Sequence, residues 1–236
     1  MERLQKVIAK YGYASRREAE KLIKGNKVLV NDELVTELGT KVSSTDIIKI
    51  NGKIINKEVN REYYLLNKPR EVVSTREDPE KRITVVDLIN TEERIYPVGR
   101  LDYNTTGLII LTNDGDFANY IASPRNEVTK TYLAKLNKIL TIDDLKKIKK
   151  GILIDKTKVN IGKIKIKNKN IEKNTCYVEL TIVEGRNHII KRLFQSLGYT
   201  VLKLTRIKIG HLSIDNLQSG EYRKLKIKEV KRFYGK

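Results

Sequence analysis

The chain has 236 residues, 39% of them hydrophobic and 33% charged, so it can form a core and disorder throughout is excluded. One cysteine, Cys176, excludes a disulfide framework and a cysteine-rich zinc site, and two histidines, His188 and His211, argue against a zinc or iron centre. The 48 Lys and Arg against 29 Asp and Glu leave a net charge of +19, which favours a polyanionic partner because each neutralised phosphate releases counterions. From the N-terminus, Leu4, Val7, Ile8 and Tyr11 repeat at helical spacing and predict an amphipathic helix that Gly12 can end. Ser15-Arg16-Arg17-Glu18 is a capping box for a second helix, with Ala19, Leu22 and Ile23 on its apolar face and Gly25 at its C-terminal end. Val28–Val30 and Ile47–Ile50 read as strands, and Asn51-Gly52 as a tight hairpin turn before Ile54-Ile55.

Arg16 and Arg17 stand at a helix start, where their charge opposes the helix dipole, so stability does not explain them. A helix start is also a phosphate site, which makes the pair either backbone contacts to a nucleic acid or two solvated surface arginines. The stretch from Ser15 to Asn31, SRREAEKLIKGNKVLVN, following an amphipathic helix, resembles the small RNA-binding domain named after ribosomal protein S-four. That resemblance implies a first domain over 1–59 that docks on structured RNA, with Arg16 and Arg17 among its contacts. Residues 56–62 are polar and read as a linker.

Beyond the linker, Tyr63–Leu66 starts a strand that Asn67-Lys68-Pro69 breaks, and Ile83–Ile89 reads as strand or helix. Further strand candidates are Ile95–Val98, Leu108–Leu111, Tyr132–Leu136, Tyr177–Val183 and Val201–Ile209. Asp116 is read as the cap of a helix reaching Ile121, Thr141 as the cap of a helix to about Lys150, and His188–Leu197 as a helix stopped by Gly198. Lys163–Lys173 alternates lysine with Ile or Asn, the pattern of a solvated strand face. Strands and helices mixed without regular alternation predict an α+β fold. Residues 1–59 carry +4 and residues 60–236 carry +15, so the basicity is spread along the chain. No run reaches the ~18 apolar residues of a membrane span and the start lacks a secretory apolar stretch, so a cytoplasmic protein without a membrane partner is expected.

No phosphate-binding loop, dinucleotide fingerprint or nucleophile elbow is present, so the chain is expected to need neither cofactor nor metal. One stretch concentrates polar groups between two strands: Gly99-Arg100-Leu101-Asp102-Tyr103-Asn104-Thr105-Thr106-Gly107. A carboxylate on such a loop near basic groups stays ionised and can act as nucleophile or base, while turn chemistry alone would make Asp102 a loop cap. Asp114-Gly115 is explained as a turn.

The segment GRLDYNTTGLIILTNDG resembles the central motif of the pseudouridine synthases, in the form of the RsuA/RluB group. Lys130-Thr131-Tyr132-Leu133 and Glu184-Gly185-Arg186-Asn187-His188-Ile189-Ile190-Lys191-Arg192-Leu193-Phe194 agree with two later motifs, in family order. The resemblance spans nearly the whole chain and implies a small N-terminal α/β RNA-binding domain, then a mixed-sheet catalytic domain over 60–236. It implies Asp102 as the nucleophile that exchanges a uridine's glycosidic bond from nitrogen to carbon after the base is flipped out. Tyr132 would stack on the uracil, with its hydroxyl available for proton transfer, and Lys191 would pair with the aspartate. Arg100 would hold the flipped nucleotide, Arg186 would contact RNA, and Arg192 would face phosphate. His188 has no partner evident in the sequence and is read as packing or a single hydrogen bond.

The implied substrate is ribosomal RNA or a ribosomal subunit precursor, and a monomer is the default expectation. The stretches Val72–Thr75 and Arg82–Leu88, with Tyr103-Asn104, are similar to the large-subunit branch. Two alternatives stay open on the sequence: a non-catalytic rRNA-binding assembly factor, and a synthase acting on small-subunit rRNA or tRNA.

Overall fold

A computed structural model of the chain describes residues 1–55, 59–159 and 161–235. It divides into two compact units: residues 1–62 with 91–95 and 113–115, and residues 63–90, 96–112 and 116–236. Residues 56–58 of the expected 56–62 linker lie outside the described residues.

In the first unit β1 (Glu2–Arg3) leads into α1 (Leu4–Lys10) and α2 (Arg16–Lys24). Ser15 caps α2 as its sequence predicts: its hydroxyl accepts from the Glu18 amide at 3.1 Å, and the Glu18 carboxylate accepts from the Ser15 amide at 2.6 Å. Four short strands, β2 (Val28–Val30), β3 (Glu33–Leu34), β5 (Ile48–Ile50) and β6 (Lys53–Ile54), form one sheet in the order β3-β2-β5-β6. A separate strand, β4 (Lys41–Val42), pairs with β1. The Asn51-Gly52 turn joins β5 to β6 with both residues at positive φ, 50° and 77°, which matches the twist of the hairpin it closes. Leu4, Ile8, Ala19, Ile23, Val28, Ile48 and Ile50 meet in the core of this unit.

The second unit is built on a sheet of nine strands. Its strands are β7 (Tyr63–Lys68), β8 (Tyr96–Pro97), β9 (Thr106–Thr112), β10 (Lys130–Leu136), β13 (Ile161–Asn170), β14 (Thr175–Ile182), β15 (Val201–Ile209), β16 (Leu212–Ser213) and β17 (Tyr222–Lys224). The main path runs β13-β14-β10-β15-β9-β7-β17, with β16 on β15 and β8 on β9. The β9–β15 pair is parallel and the other strand pairs described in the sheet are antiparallel. The hairpin β11 (Ile152–Ile154) and β12 (Thr157–Val159) stands apart from it. Helices α3 (Gly115–Ala122), α4 (Ile142–Lys150), α5 (Ile189–Ser196) and α6 (Ile227–Lys231) complete the unit.

Phe117 and Ile121 of α3, with Val230 of α6, pack on Tyr63, Leu65, Leu108 and Ile110 from β7 and β9. The opposite face of the sheet carries Leu66 and Lys68 on β7, Ile109 and Leu111 on β9, and Tyr132 and Ala134 on β10, all buried. Register aligns Lys68, Gly107, Arg206 and Tyr132 on four consecutive strands of the path. Gly107 is required there: its φ is +104°, and a Cβ would stand 2.2 Å from the Arg206 carbonyl oxygen.

Several expected elements differ. Asn67 and Lys68 continue β7, and only Pro69 ends it, because both side chains find polar partners despite burial. Ile83–Ile89 is neither strand nor helix but turns with one isolated bridge, Val73–Thr84, whose Thr84 is held by Asp87. Asp116 lies inside the first turn of α3 instead of capping it, and Asp114 pairs with Arg61 at 3.1 Å. Lys163–Asn170 is largely exposed strand, as its alternation predicts. Among the described residues no helix is long and apolar enough to cross a membrane.

Candidate active site

Asp102 lies on the loop between β8 and β9, and that loop is clamped from below. The buried Ser74 hydroxyl donates to the Leu101 carbonyl at 2.8 Å and accepts from the Leu101 amide at 3.1 Å. The Glu71 amide donates to Tyr103 O at 2.9 Å, and the Thr105 amide closes the turn on Asp102 O at 3.0 Å. Lys68, fully buried, donates to Pro69 O at 2.8 Å and Tyr103 O at 3.1 Å, which ties the end of β7 to the residue after the aspartate. Burial pushes the Lys68 ammonium down to about 8, and the negative charge of Asp102 pulls it partly back.

The second wall comes from α5. His188 caps this helix in the left-handed conformation, φ 51°, and Lys191 follows three residues later on the same side. Ile189, Ile190, Leu193 and Phe194 bury the opposite side of the helix, which leaves His188 and Lys191 to face the loop. Lys191 Nζ lies 2.5 Å from Asp102 Oδ2, His188 Nε2 lies 3.1 Å from Oδ1, and the Thr105 hydroxyl donates to Oδ2 at 3.3 Å. Burial opposes the charge on Asp102, but the hydrogen bond and charge of Lys191, joined by His188 and Thr105, outweigh it. The carboxyl is therefore held below its ordinary range. The group is an anion at neutral pH and 31% exposed, so it is charged, oriented and reachable.

Tyr132 stands on β10, 8% exposed, and its hydroxyl accepts from Arg206 Nη1 at 3.4 Å. Lys130, two residues earlier, is also buried; burial and the Arg206 charge push it down to about 8.

The structure thus brings Asp102 and Lys191 into contact. His188, expected to lack a partner and to serve in packing or a single hydrogen bond, does have a partner, because its ring nitrogen lies against the Asp102 carboxylate. Arg192, one residue past Lys191, turns away to pair with Asp155, and Arg186 pairs with Glu184. Arg100 is exposed beside Asp102 in sequence, and Arg16 and Arg17 are exposed on the first turn of α2. Sequence reasoning missed Lys68 and Arg206. Lys68 is a cation at the end of an apolar strand, which was the available signal, whereas Arg206 shares its strand with Lys203 and Lys208 and does not stand out there.

A family model for RNA pseudouridylate synthase matches residues 62–196, more than half of the chain and the segment that carries Asp102, Tyr132 and Lys191. The chain belongs to this family. As a pseudouridylate synthase it is an isomerase, and its residues 2–48 match an S4 domain. It is 46% identical over 233 residues to ribosomal large subunit pseudouridine synthase B of Bacillus subtilis, covering 98% of this chain and 95% of that one. It is 37% identical to the dual-specificity RNA pseudouridine synthase RluF of Escherichia coli K12, covering 94% of this chain and 75% of that one. A crystal structure of a pseudouridylate synthase superposes with a TM-score of 0.68 at 31% identity, covering 99% of this chain and all of the other.

Proposed function

We propose that this synthase converts a uridine of ribosomal RNA, in the large subunit, to pseudouridine, with Asp102 as the nucleophile. The observation that carries the reading is the Asp102 carboxylate kept anionic by Lys191 and His188 on a loop clamped to the sheet. The large-subunit assignment is supported by the 46% identity to the Bacillus protein, whose name states that substrate.

The target base must leave its stack to reach such a site, at a cost of a few kcal/mol that phosphate contacts and stacking offset. Tyr132 supplies an aromatic face for the uracil, and its hydroxyl is available for proton transfer. Asp102 assists cleavage of the bond between ribose C1′ and uracil N1. The uracil then turns, C5 bonds to C1′ as the carboxylate leaves, the hydrogen of C5 departs to solvent, and N1 takes up a proton in its place. No atom is gained or lost overall, so the reaction has no redox requirement. A fixed carboxylate in an oriented pocket provides the effective concentration that keeps the cut base from escaping. Residues 1–59 hold the RNA, with Arg16 and Arg17 as backbone contacts; Arg100 holds the flipped nucleotide, and 60–236 performs the chemistry. Arg186 and Arg192, each paired with a carboxylate, contribute at most to the backbone.

The test is tritium release from ribosomal RNA labelled at uracil C5. Wild type should release tritium, and Asp102→Asn should release none while its RNA affinity stays within a few-fold. Release by Asp102→Asn at the wild-type rate would remove Asp102 from this role. Release by neither protein, on naked RNA and on subunit precursors, would favour a binding-only assembly factor. Competition between ribosomal and transfer RNA separates the substrates.

A further inference from the structure

We propose that Arg206 is a positioning residue for Tyr132, aiming the phenolic proton at the substrate. The inference rests on the reading of Tyr132 given above and assigns the group that holds it.

Arg206 is 4% exposed, and no carboxylate pairs with it among the described residues. A guanidinium in that setting is costly to bury, and a Met or Leu would fill the same volume without desolvation. Its contacts show what it does instead. Nε donates to the Leu108 carbonyl at 2.6 Å, and Nη1 donates to the Tyr132 hydroxyl at 3.4 Å. The guanidinium carbon lies 6.0 Å from the Tyr132 ring centroid. The third nitrogen, Nη2, is buried and has no partner among the described residues. The side chain therefore spans from β9, which begins four residues after Asp102, to β10, which carries Tyr132.

Gly107 makes this reach possible. Beside it the two backbones approach so closely that a Cβ would collide with the Arg206 main chain. The Leu108 carbonyl thereby comes within reach of a side chain rooted on β15.

The chemistry of the pair fixes the direction of a proton. A guanidinium has five donors and no acceptor, so in this contact the Tyr132 oxygen can only accept. The phenol's own hydrogen must then point away from Arg206, and it is free to be given to a substrate atom that reaches the hydroxyl edge of the ring. The contact also restricts rotation of the C–O bond, so one orientation of the hydroxyl is selected before substrate arrives.

A double-mutant cycle tests this. Arg206→Lys keeps the charge but has only one donor centre, and it should lower kcat by about 10-fold or more with KM within about 3-fold. In a Tyr132→Phe background the same change should alter kcat by less than about 2-fold, because the hydroxyl it serves is gone. Additive losses would overturn the proposal, as would a Tyr132→Phe variant with wild-type kcat. Protein labelled with carbon-13 at the tyrosine ζ carbon supplies a readout independent of turnover. Arg206→Lys should move the Tyr132 resonance, identified by its absence in Tyr132→Phe, and leave the other tyrosines in place. An unmoved Tyr132 resonance overturns the inference even if the enzyme is active. A wild type that forms no pseudouridine overturns the functional reading alone, and the resonance then decides this one.

Discussion

A half-buried carboxylate stays ionised when nearby charge and hydrogen bonds compensate for the water it has lost, and at Asp102 the largest such contribution comes from Lys191. Removing it should leave burial less opposed. Lys191→Gln is expected to raise the Asp102 pKa and shift the acidic limb of the pH profile of kcat/KM upward by about one pH unit, together with a fall in kcat. Measuring that profile for wild type and variant checks the assignment, and a limb that stays in place would show that Lys191 does not set this ionisation. The stability effect has a definite sign. The depressed carboxyl stabilises the folded state above the unfolded pKa, and this contribution disappears as pH falls through the folded value.

At this scale the sequence motifs pointed to Asp102 and Lys191, which the structure brings into contact, but not to the company they keep. His188 lies three residues before Lys191, and once the helix is drawn that spacing places both on one side of it. Lys68 and Arg206 were hidden for a different reason. Lys68 reaches the Tyr103 carbonyl on the loop 35 residues away, and Arg206 reaches a carbonyl and a phenol on other strands 98 and 74 residues away, contacts that no local pattern records.

Among the elements, those closed by their own residues were legible: the Ser15 box of α2, the Asn51-Gly52 hairpin and the Thr141 cap of α4. Elements decided by tertiary partners were not. Asn67 reads as a breaker, yet it remains in β7 because its amide nitrogen donates to Leu217 O, 150 residues away. Ile83–Ile89 has the composition of a strand but is fastened by the Asp87–Thr84 hydrogen bonds into turns. The parallel β9–β15 pairing is a similar case, since nothing near Gly107 in sequence announces that Arg206 will lie beside it. Gly107→Ala should destabilise the fold by about 2–4 kcal/mol, because both the clash and the positive φ count against it. Urea unfolding measures this, and a change below about 0.5 kcal/mol would mean the strands can separate locally at little cost.

For the whole molecule, charge and composition indicated a nucleic-acid partner without saying where it sits. Residues 60–236 carry +15 of the +19, so most of the long-range attraction belongs to that part, while the S4 match lies within residues 2–48. Deleting residues 1–59 is therefore expected to weaken RNA binding and to flatten its salt dependence by about one unit of log–log slope for each phosphate that is no longer neutralised. Turnover at saturating RNA should survive the deletion. Titrations at several salt concentrations, with single-turnover rates alongside, test this, and a truncated protein inactive at saturation would refute the division of labour.

The strand β13 ends the sheet among the described residues, and its ten residues present a backbone edge of the kind that recruits a strand from another molecule. Lys163, Lys165, Lys167 and Lys169 stand along it, exposed, with one carboxylate, Glu179 on β14, shared between Lys165 and Lys167. A second copy approaching that edge would bring a matching row of ammonium groups against this one. The spacing that looks like a plain solvated face thus also works against edge-to-edge pairing of two copies, and a polyanion that neutralised those lysines would weaken that repulsion.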